Sequence, residues 1–243
     1  MRRSLPPTRR TSNGLPVLEL PRLFRSLLLA LALSSLGGCE PAALRPELAE
    51  AAVSAIGLSD ALEKLIEEQL DTEEDREAAY DAVQKLPADT AADAFGRAAI
   101  AGRLAEKKGA LSLLGSQNPT SLVAEAEKYA LRSQKLDPSF RRAAATRMLG
   151  TLYVLAPANM LEGGDSEDGL SLLEGLVKSD PGLVDNQFRL AEAYIALGDK
   201  EPAREPLCRA LAKQAELRKD QGRALDVLKA EFKDLDCSAW TTK

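Results

Sequence analysis

Between Phe140 and Ala212 the chain repeats a pattern that few folds accommodate. Leu149-Gly150 and Tyr153 are followed by Gly169, Leu173 and Leu176 and then by Pro181; Leu190-Ala191 and Tyr194 are followed by Gly198, Ala203, Leu207 and Ala210. In both copies small and apolar residues recur at three- and four-residue steps, which puts them on one face of a helix. Each copy is an amphipathic run, a turn and a second amphipathic run. Such a pair of helices cannot bury both of its apolar faces alone, so consecutive pairs must stack and share a core. The expected fold class is all-α: a helical repeat, or α-α superhelix, with extra helices at the N- and C-terminal ends.

The pattern resembles the tetratricopeptide (TPR) repeat, whose period is about 34 residues. Pro181, which ends the first copy, stands ten residues before Ala191. That is the register the repeat requires, so the two units abut. The first copy departs from the pattern in its turn. Gly150 and Gly169 are nineteen residues apart, about seven more than the repeat expects. The surplus lies within Ala156–Asp165. A third, degenerate unit is expected upstream, with Phe95-Gly96 opening its first helix and Ala126, Ala130, Ser133 and Pro138 marking its second. The domain is thus expected to span 47–243, with units at about 91–138, 143–181 and 184–215 and a capping helix at 216–234.

Composition supports helices and narrows the chemistry. Aromatic residues make up 4% of the 243 residues while 45% are hydrophobic, a balance that favours helix over strand and allows one sizeable core. The net charge is -5 with no long basic run, which argues against nucleic acid as a partner. There is no His, so the usual general base and the commonest metal ligand are missing. No nucleophile–base pair, metal-ligand cluster or phosphate-cradling loop stands out. The expectation is no enzyme, no catalytic residue, no metal and no cofactor.

The N-terminal stretch reads as an export signal. Residues 1–25 are rich in Arg and Pro, and Ser26–Leu33 is an apolar run too short to span a bilayer. The basic flank is long for a signal peptide, which leaves room for a start downstream, for instance at Val17. Leu36-Gly37-Gly38-Cys39 follows directly and resembles the lipobox of bacterial lipoproteins. In that family the signal, here residues 1–38, is removed and the cysteine is acylated. Cys39 is the expected lipidation site, with 39–46 as a tether. Acyl chains contribute about 0.8 kcal/mol per buried methylene, enough in combination to hold a domain on a membrane. Glu40 follows the cysteine where an inner-membrane retention signal would have Asp. The expected location is therefore the bacterial cell envelope, on the outer membrane facing the periplasm.

Before the repeats, the pattern predicts a helix from Pro46 to Ile56 ending at Gly57, and a second one capped by Ser59 with Ala61, Leu62, Leu65, Ile66 and Leu70 inward. Thr72 is expected to cap a helix that stops at Pro87, its Glu73-Glu74-Asp75 cluster solvated in the first turn. A longer helix from Thr90 to Leu114 should precede a loop at 115–119 and a helix capped by Thr120 or Ser121. With Cys39 assigned to lipid, Cys208 and Cys237 remain as an even pair in an oxidising compartment. They form either a bridge or two buried thiols. A bridge would clamp a returning amphipathic helix carrying Leu217, Ala224, Leu225, Leu228 and Phe232, and the tail with Trp240, onto the last repeat.

The segment Met148–Tyr153, then Ala156-Pro157, Gly163-Gly164-Asp165, Leu172-Leu173, Asp180-Pro181, Leu190–Tyr194 and Leu207 resembles the TatT family, the lipoprotein component associated with TRAP transporters. The resemblance covers about 91–212. It implies a lengthened turn, a cleft or pore that accommodates a small apolar ligand, a homotrimer, and a periplasmic substrate-binding protein as partner. The family's aromatic residues in that turn are replaced here by Asn159-Met160-Leu161, so only the location of the loop carries over. The candidate ligand or partner loop is Pro157, Asn159, Met160, Leu161, Gly163, Gly164 and Asp165. Pro157 stiffens it, Gly163-Gly164 offer unusual backbone angles, and Asp165 can cap the next helix. These residues either meet a ligand or only shape the turn. Two functions follow as expectations: an accessory binding protein of solute uptake, or a scaffold lipoprotein for protein assembly in the envelope. An enclosed apolar pocket beside the loop would favour the first and an open, charged groove the second.

Overall fold

The computed structural model describes residues 43–109 and 119–240; Cys39, the signal segment and 110–118 lie outside the described residues. Among them are ten α-helices and no strand: α1 (Pro46–Ala51), α2 (Ala55–Glu67), α3 (Glu73–Val83), α4 (Ala91–Lys108), α5 (Pro119–Leu136), α6 (Phe140–Leu155), α7 (Ser166–Ser179), α8 (Val184–Ala196), α9 (Lys200–Ala212) and α10 (Lys219–Ala230). The pairs α4–α5, α6–α7 and α8–α9 pack most extensively, and each pair packs on the next. The protein is an all-α helical repeat, as the spacing predicts.

Four apolar clusters carry the packing, one behind another along the chain. Leu48, Leu58, Leu62, Leu65, Ile66, Ala79, Val83 and Ile100 join α1–α4. Ala98, Ala130, Leu149 and Tyr153 join α4–α6. Leu173, Leu176, Leu190 and Ala193 join α7 and α8, and Val184, Phe188, Ala191, Leu207, Ala210 and Leu225 join α8–α10. Small residues bring the helices close. A Cβ on Gly169 would lie 2.8 Å from the Gly150 carbonyl oxygen and 2.7 Å from Tyr153 Cβ, and one on Gly150 would lie 2.7 Å from Leu173 Cγ. The two glycines thus permit the α6–α7 approach.

Several boundaries differ from the sequence reading. The first break falls at 52–54, not at Gly57. Ser54 in extended conformation accepts from the Gly57 amide at 3.1 Å and caps α2, so Gly57 and a buried Ser59 lie inside the helix. Thr72 does cap α3, in a box with Asp75, but that carboxylate is not solvated. Asp75 is buried and paired with Arg45 at 2.9 Å, and the neighbouring Arg76 is buried against Asp71 at 2.7 Å. The α4 helix ends at Lys108 with Gly109 at φ 49°, and α5 starts at Pro119, ahead of both expected caps, with proline at the helix start where its missing N–H costs nothing. The first turn of α6 is left-handed at Arg141, Arg142 and Ala143, φ 47°, 55° and 60°. Non-glycine residues resist this conformation by roughly 1–2 kcal/mol each. It puts Arg141 on Asp60 of α2 (2.6 Å) and Arg142 on Asp180 after α7 (2.6 Å).

The C-terminal helix does more than cap the last repeat. Leu225 packs into the α8–α9 cluster, and Cys208 and Cys237 are disulfide-bonded, holding the tail across α9. The N-terminal end of α10 also reaches α2: the Lys219 amide donates to Glu67 at 3.1 Å and Arg223 donates to the Glu67 carbonyl at 3.3 Å. The two ends of the superhelix are thereby joined.

Candidate ligand cleft

Joining the ends leaves a cleft of about 950 Å³ on the inner face, within the range of small-molecule sites. It is lined by α2, α4, α6, α8 and the start of α10, with Thr120 and Val123 from α5 and Ala156, Pro157 and Met160 from the lengthened turn. The first helix of every repeat pair therefore contributes, while α7 and α9 do not. Gly109 lines it as well.

The wall has two chemistries. Towards the lengthened turn it is apolar, with Val123, Met148, Leu152, Leu155, Pro157 and Met160, while Phe95 lines the other end, its ring 5.8 Å from that of Phe140 at the start of α6. Towards the junction of α2, α4 and α10 it is charged. There Arg103 donates to both oxygens of Glu63 (2.7 Å each), to Asp220 (3.1 Å) and to Glu106 (3.0 Å). Arg218 meets Glu63 and Asp220, both at 3.1 Å. Glu63, Arg103, Asp220 and Arg218 thus form a closed ring of alternating charge. Burial opposes the charge on Arg103, yet the hydrogen bonds and charges of Glu63 and Glu106 hold its pKa well above the ordinary value. Burial likewise acts to raise Asp220, and Arg218 and Arg103 outweigh it, so this carboxyl sits below its usual range.

The loop residues singled out from sequence divide by what they touch. Pro157 and Met160 line the cleft. Leu161 packs on the Ala98–Ala130–Leu149–Tyr153 cluster, and Asn159 is exposed. Asp165 accepts from the amides of Glu167 (2.9 Å) and Asp168 (3.0 Å) and caps α7. Gly163 and Gly164 are not there for unusual backbone angles, since neither has a positive φ. Space requires them. A Cβ on Gly163 would lie 2.9 Å from Glu127 Oε1, and one on Gly164 would lie 2.6 Å from Tyr153 Cδ2.

Glu127 escaped the sequence reading. It is 2% exposed on α5 and accepts from the amides of Glu162 (2.8 Å) and Gly163 (2.7 Å) and from the Tyr153 hydroxyl. Burial first, and then the Glu127 charge, push the Tyr153 hydroxyl up to about 12. This carboxylate stands in for the backbone partners that a long turn lacks, so it fixes the turn against α5 and holds Met160 on the cleft wall. The signal was present in the sequence: Glu127 lies four residues after Val123 and three before Ala130, on the inward stripe of its helix.

Five arginines line the cleft, and sequence analysis picked out none of them. Arg103, Arg141, Arg189 and Arg218 each have a carboxylate within 4.0 Å. Arg147 has none among the described residues; its Nη1 donates to the Arg142 carbonyl (3.1 Å) and to Asn186 Oδ1 (3.0 Å). Burial holds the Arg147 guanidinium below its ordinary pKa, Asp185 pulling back and Arg189 and Arg142 adding to the fall. Among the described residues no three His, Cys, Asp or Glu side chains gather as a metal site, and no helix is long and apolar enough to cross a membrane. No protein-family model matches the sequence, and no curated protein matches it.

Proposed function

We propose that the chain is a periplasm-facing, lipid-anchored binding protein with TPR-like repeats, acting as a TatT-like accessory of TRAP-type solute uptake and holding a small ligand in its cleft. The observation that carries this reading is the placement of Pro157 and Met160, from the lengthened turn, on the apolar wall of a ligand-sized cleft. Cys39 supplies the anchor, and a periplasmic substrate-binding protein is the partner to which ligand passes.

The charged half of the cleft favours a second reading, a scaffold that grips a polypeptide along its inner face. Native mass spectrometry of the full-length protein released from detergent separates the two. An acyl mass on Cys39, a small organic mass lost on denaturation and a trimer support the uptake accessory. An acylated, ligand-free monomer overturns it in favour of the scaffold, and an unacylated chain overturns the lipid anchor.

A further inference from the structure

Arg147 is the exception among the cleft arginines, and its geometry says what is missing. A guanidinium has five N–H donors, and its Nε and one terminal nitrogen form a fork that matches the two oxygens of a carboxylate. Arg147 uses only Nη1, on the Arg142 carbonyl and Asn186. Its Nε–Nη2 fork has no acceptor among the described residues. The carboxylates that act on it from a distance are held by other groups: Asp185 accepts from Gln221 at 2.8 Å and Asp180 pairs with Arg142 at 2.6 Å. A half-buried guanidinium with a free fork on a cleft is a matched donor pair for an incoming anion, stronger than the water it would replace.

The surroundings define the rest of the occupant. Arg147 and Leu155 lie on the same helix, eight residues apart, and so about 12 Å along its axis. Between and beyond them Met148, Leu152, Pro157 and Met160 line the same wall. Thr151 is already engaged, its hydroxyl donating to the Arg147 carbonyl at 2.9 Å, so it offers no second polar anchor through that proton.

We propose that the cleft takes an amphipathic carboxylate, with its two oxygens on the Arg147 Nε–Nη2 fork and its apolar chain laid along α6 towards Leu155, Pro157 and Met160. This rests on the reading of the cleft as a ligand site and names the class of ligand. The arrangement disfavours small hydrophilic anions, which would leave the apolar wall empty, and neutral amphiphiles, which would leave the fork unmatched.

The test uses the full-length protein in amphipol, with calorimetric titration of octanoate, octanamide and inorganic phosphate. Octanoate should bind, with octanamide and phosphate each roughly tenfold weaker or worse. Arg147→Gln should bring octanoate down to the level of octanamide while leaving octanamide itself unchanged. Leu155→Asp, at a position 45% exposed and therefore safe for folding, should weaken octanoate without touching Arg147. Equal binding of octanoate and octanamide, or an Arg147→Gln variant that still prefers octanoate, overturns the carboxylate while the cleft remains a ligand site. Phosphate binding as tight as octanoate, unaffected by Leu155→Asp, overturns the apolar chain. Failure of all three probes, in a protein from which no small mass is released on denaturation, overturns the ligand-site reading itself.

Discussion

Two distant attachments shape the cleft, and they use acidic residues in opposite ways. At one side Glu63 and Asp220 face two guanidiniums and close the superhelix between α2, α4 and α10. At the other, Glu127 is buried with no cation paired to it among the described residues and holds the lengthened turn through two amides and a hydroxyl. A carboxylate among arginines can exchange partners when one is lost. A carboxylate among backbone amides leaves those donors orphaned when it is lost, because they are fixed in the chain and cannot turn to another partner. The charged closure should therefore yield in steps and the turn all at once.

The largest effect is expected at the turn. Glu127→Ala orphans two backbone N–H groups at about 1–3 kcal/mol each, so urea unfolding should show a loss of about 4 kcal/mol, partly restored in Glu127→Gln, which keeps one acceptor oxygen. A loss below about 1 kcal/mol would mean that water replaces the carboxylate and the comparison fails. Next comes the covalent part of the closure. Replacing Cys208 and Cys237 with Ser opens a loop with a sequence separation of 29, and about 3 kcal/mol should go in the same measurement. Hydrogen exchange should then rise along α10, with the turn unaffected.

The charged ring should respond less. Arg103→Met removes its most connected member but leaves Arg218 to face both carboxylates, so about 2 kcal/mol is expected after allowing for partial exposure to solvent. A loss as large as that of Glu127→Ala would erase the distinction between the two attachments. The smallest effect is in acid. Because Asp220 is held below its usual pKa, its contribution is fully present above the ordinary carboxylate value and is lost as pH falls through the lowered one. Melting temperature should drop more steeply towards low pH in the wild-type protein than in Asp220→Asn, which has already lost this dependence.

How much of this was legible in the sequence depends on the range of the interaction. Leu149-Gly150, Tyr153, Gly169 and Leu173 announce a helix pair because their partners are a few turns away, and the packing repeats with the helical period. The α1–α2 boundary was misread because Ser54 and Ser59 are both acceptable caps, and only the approach of α1 to Gly57 selects between them. Gly163-Gly164 were legible as a constraint, though the cause is the Tyr153 ring and Glu127 rather than backbone angle. The meeting of Glu67 with Arg223 was not legible at all. Arg223 donates to a backbone carbonyl there; surface donors and free helix-end carbonyls are numerous and interchangeable, and nothing local marks which of them will meet across most of the chain. The left-handed turn at Arg141–Ala143 was hidden for a related reason, since no glycine advertises it and its partners Asp60 and Asp180 are far away in sequence.

The junction of α10 with α2 also bears on how this molecule can change over time. A superhelix with free ends can gain or lose a unit and remain soluble, because each unit answers only to its neighbours. Here Glu67 and Arg223 are in hydrogen-bond contact, so the three helix pairs between them must bring α10 back onto α2. An added pair would carry α10 away from α2 and dissolve the ring of Glu63, Arg103, Asp220 and Arg218. The number of units is thus locked, and variation has to enter where length is still free. The turn between α6 and α7 is such a place, and it borders the cleft.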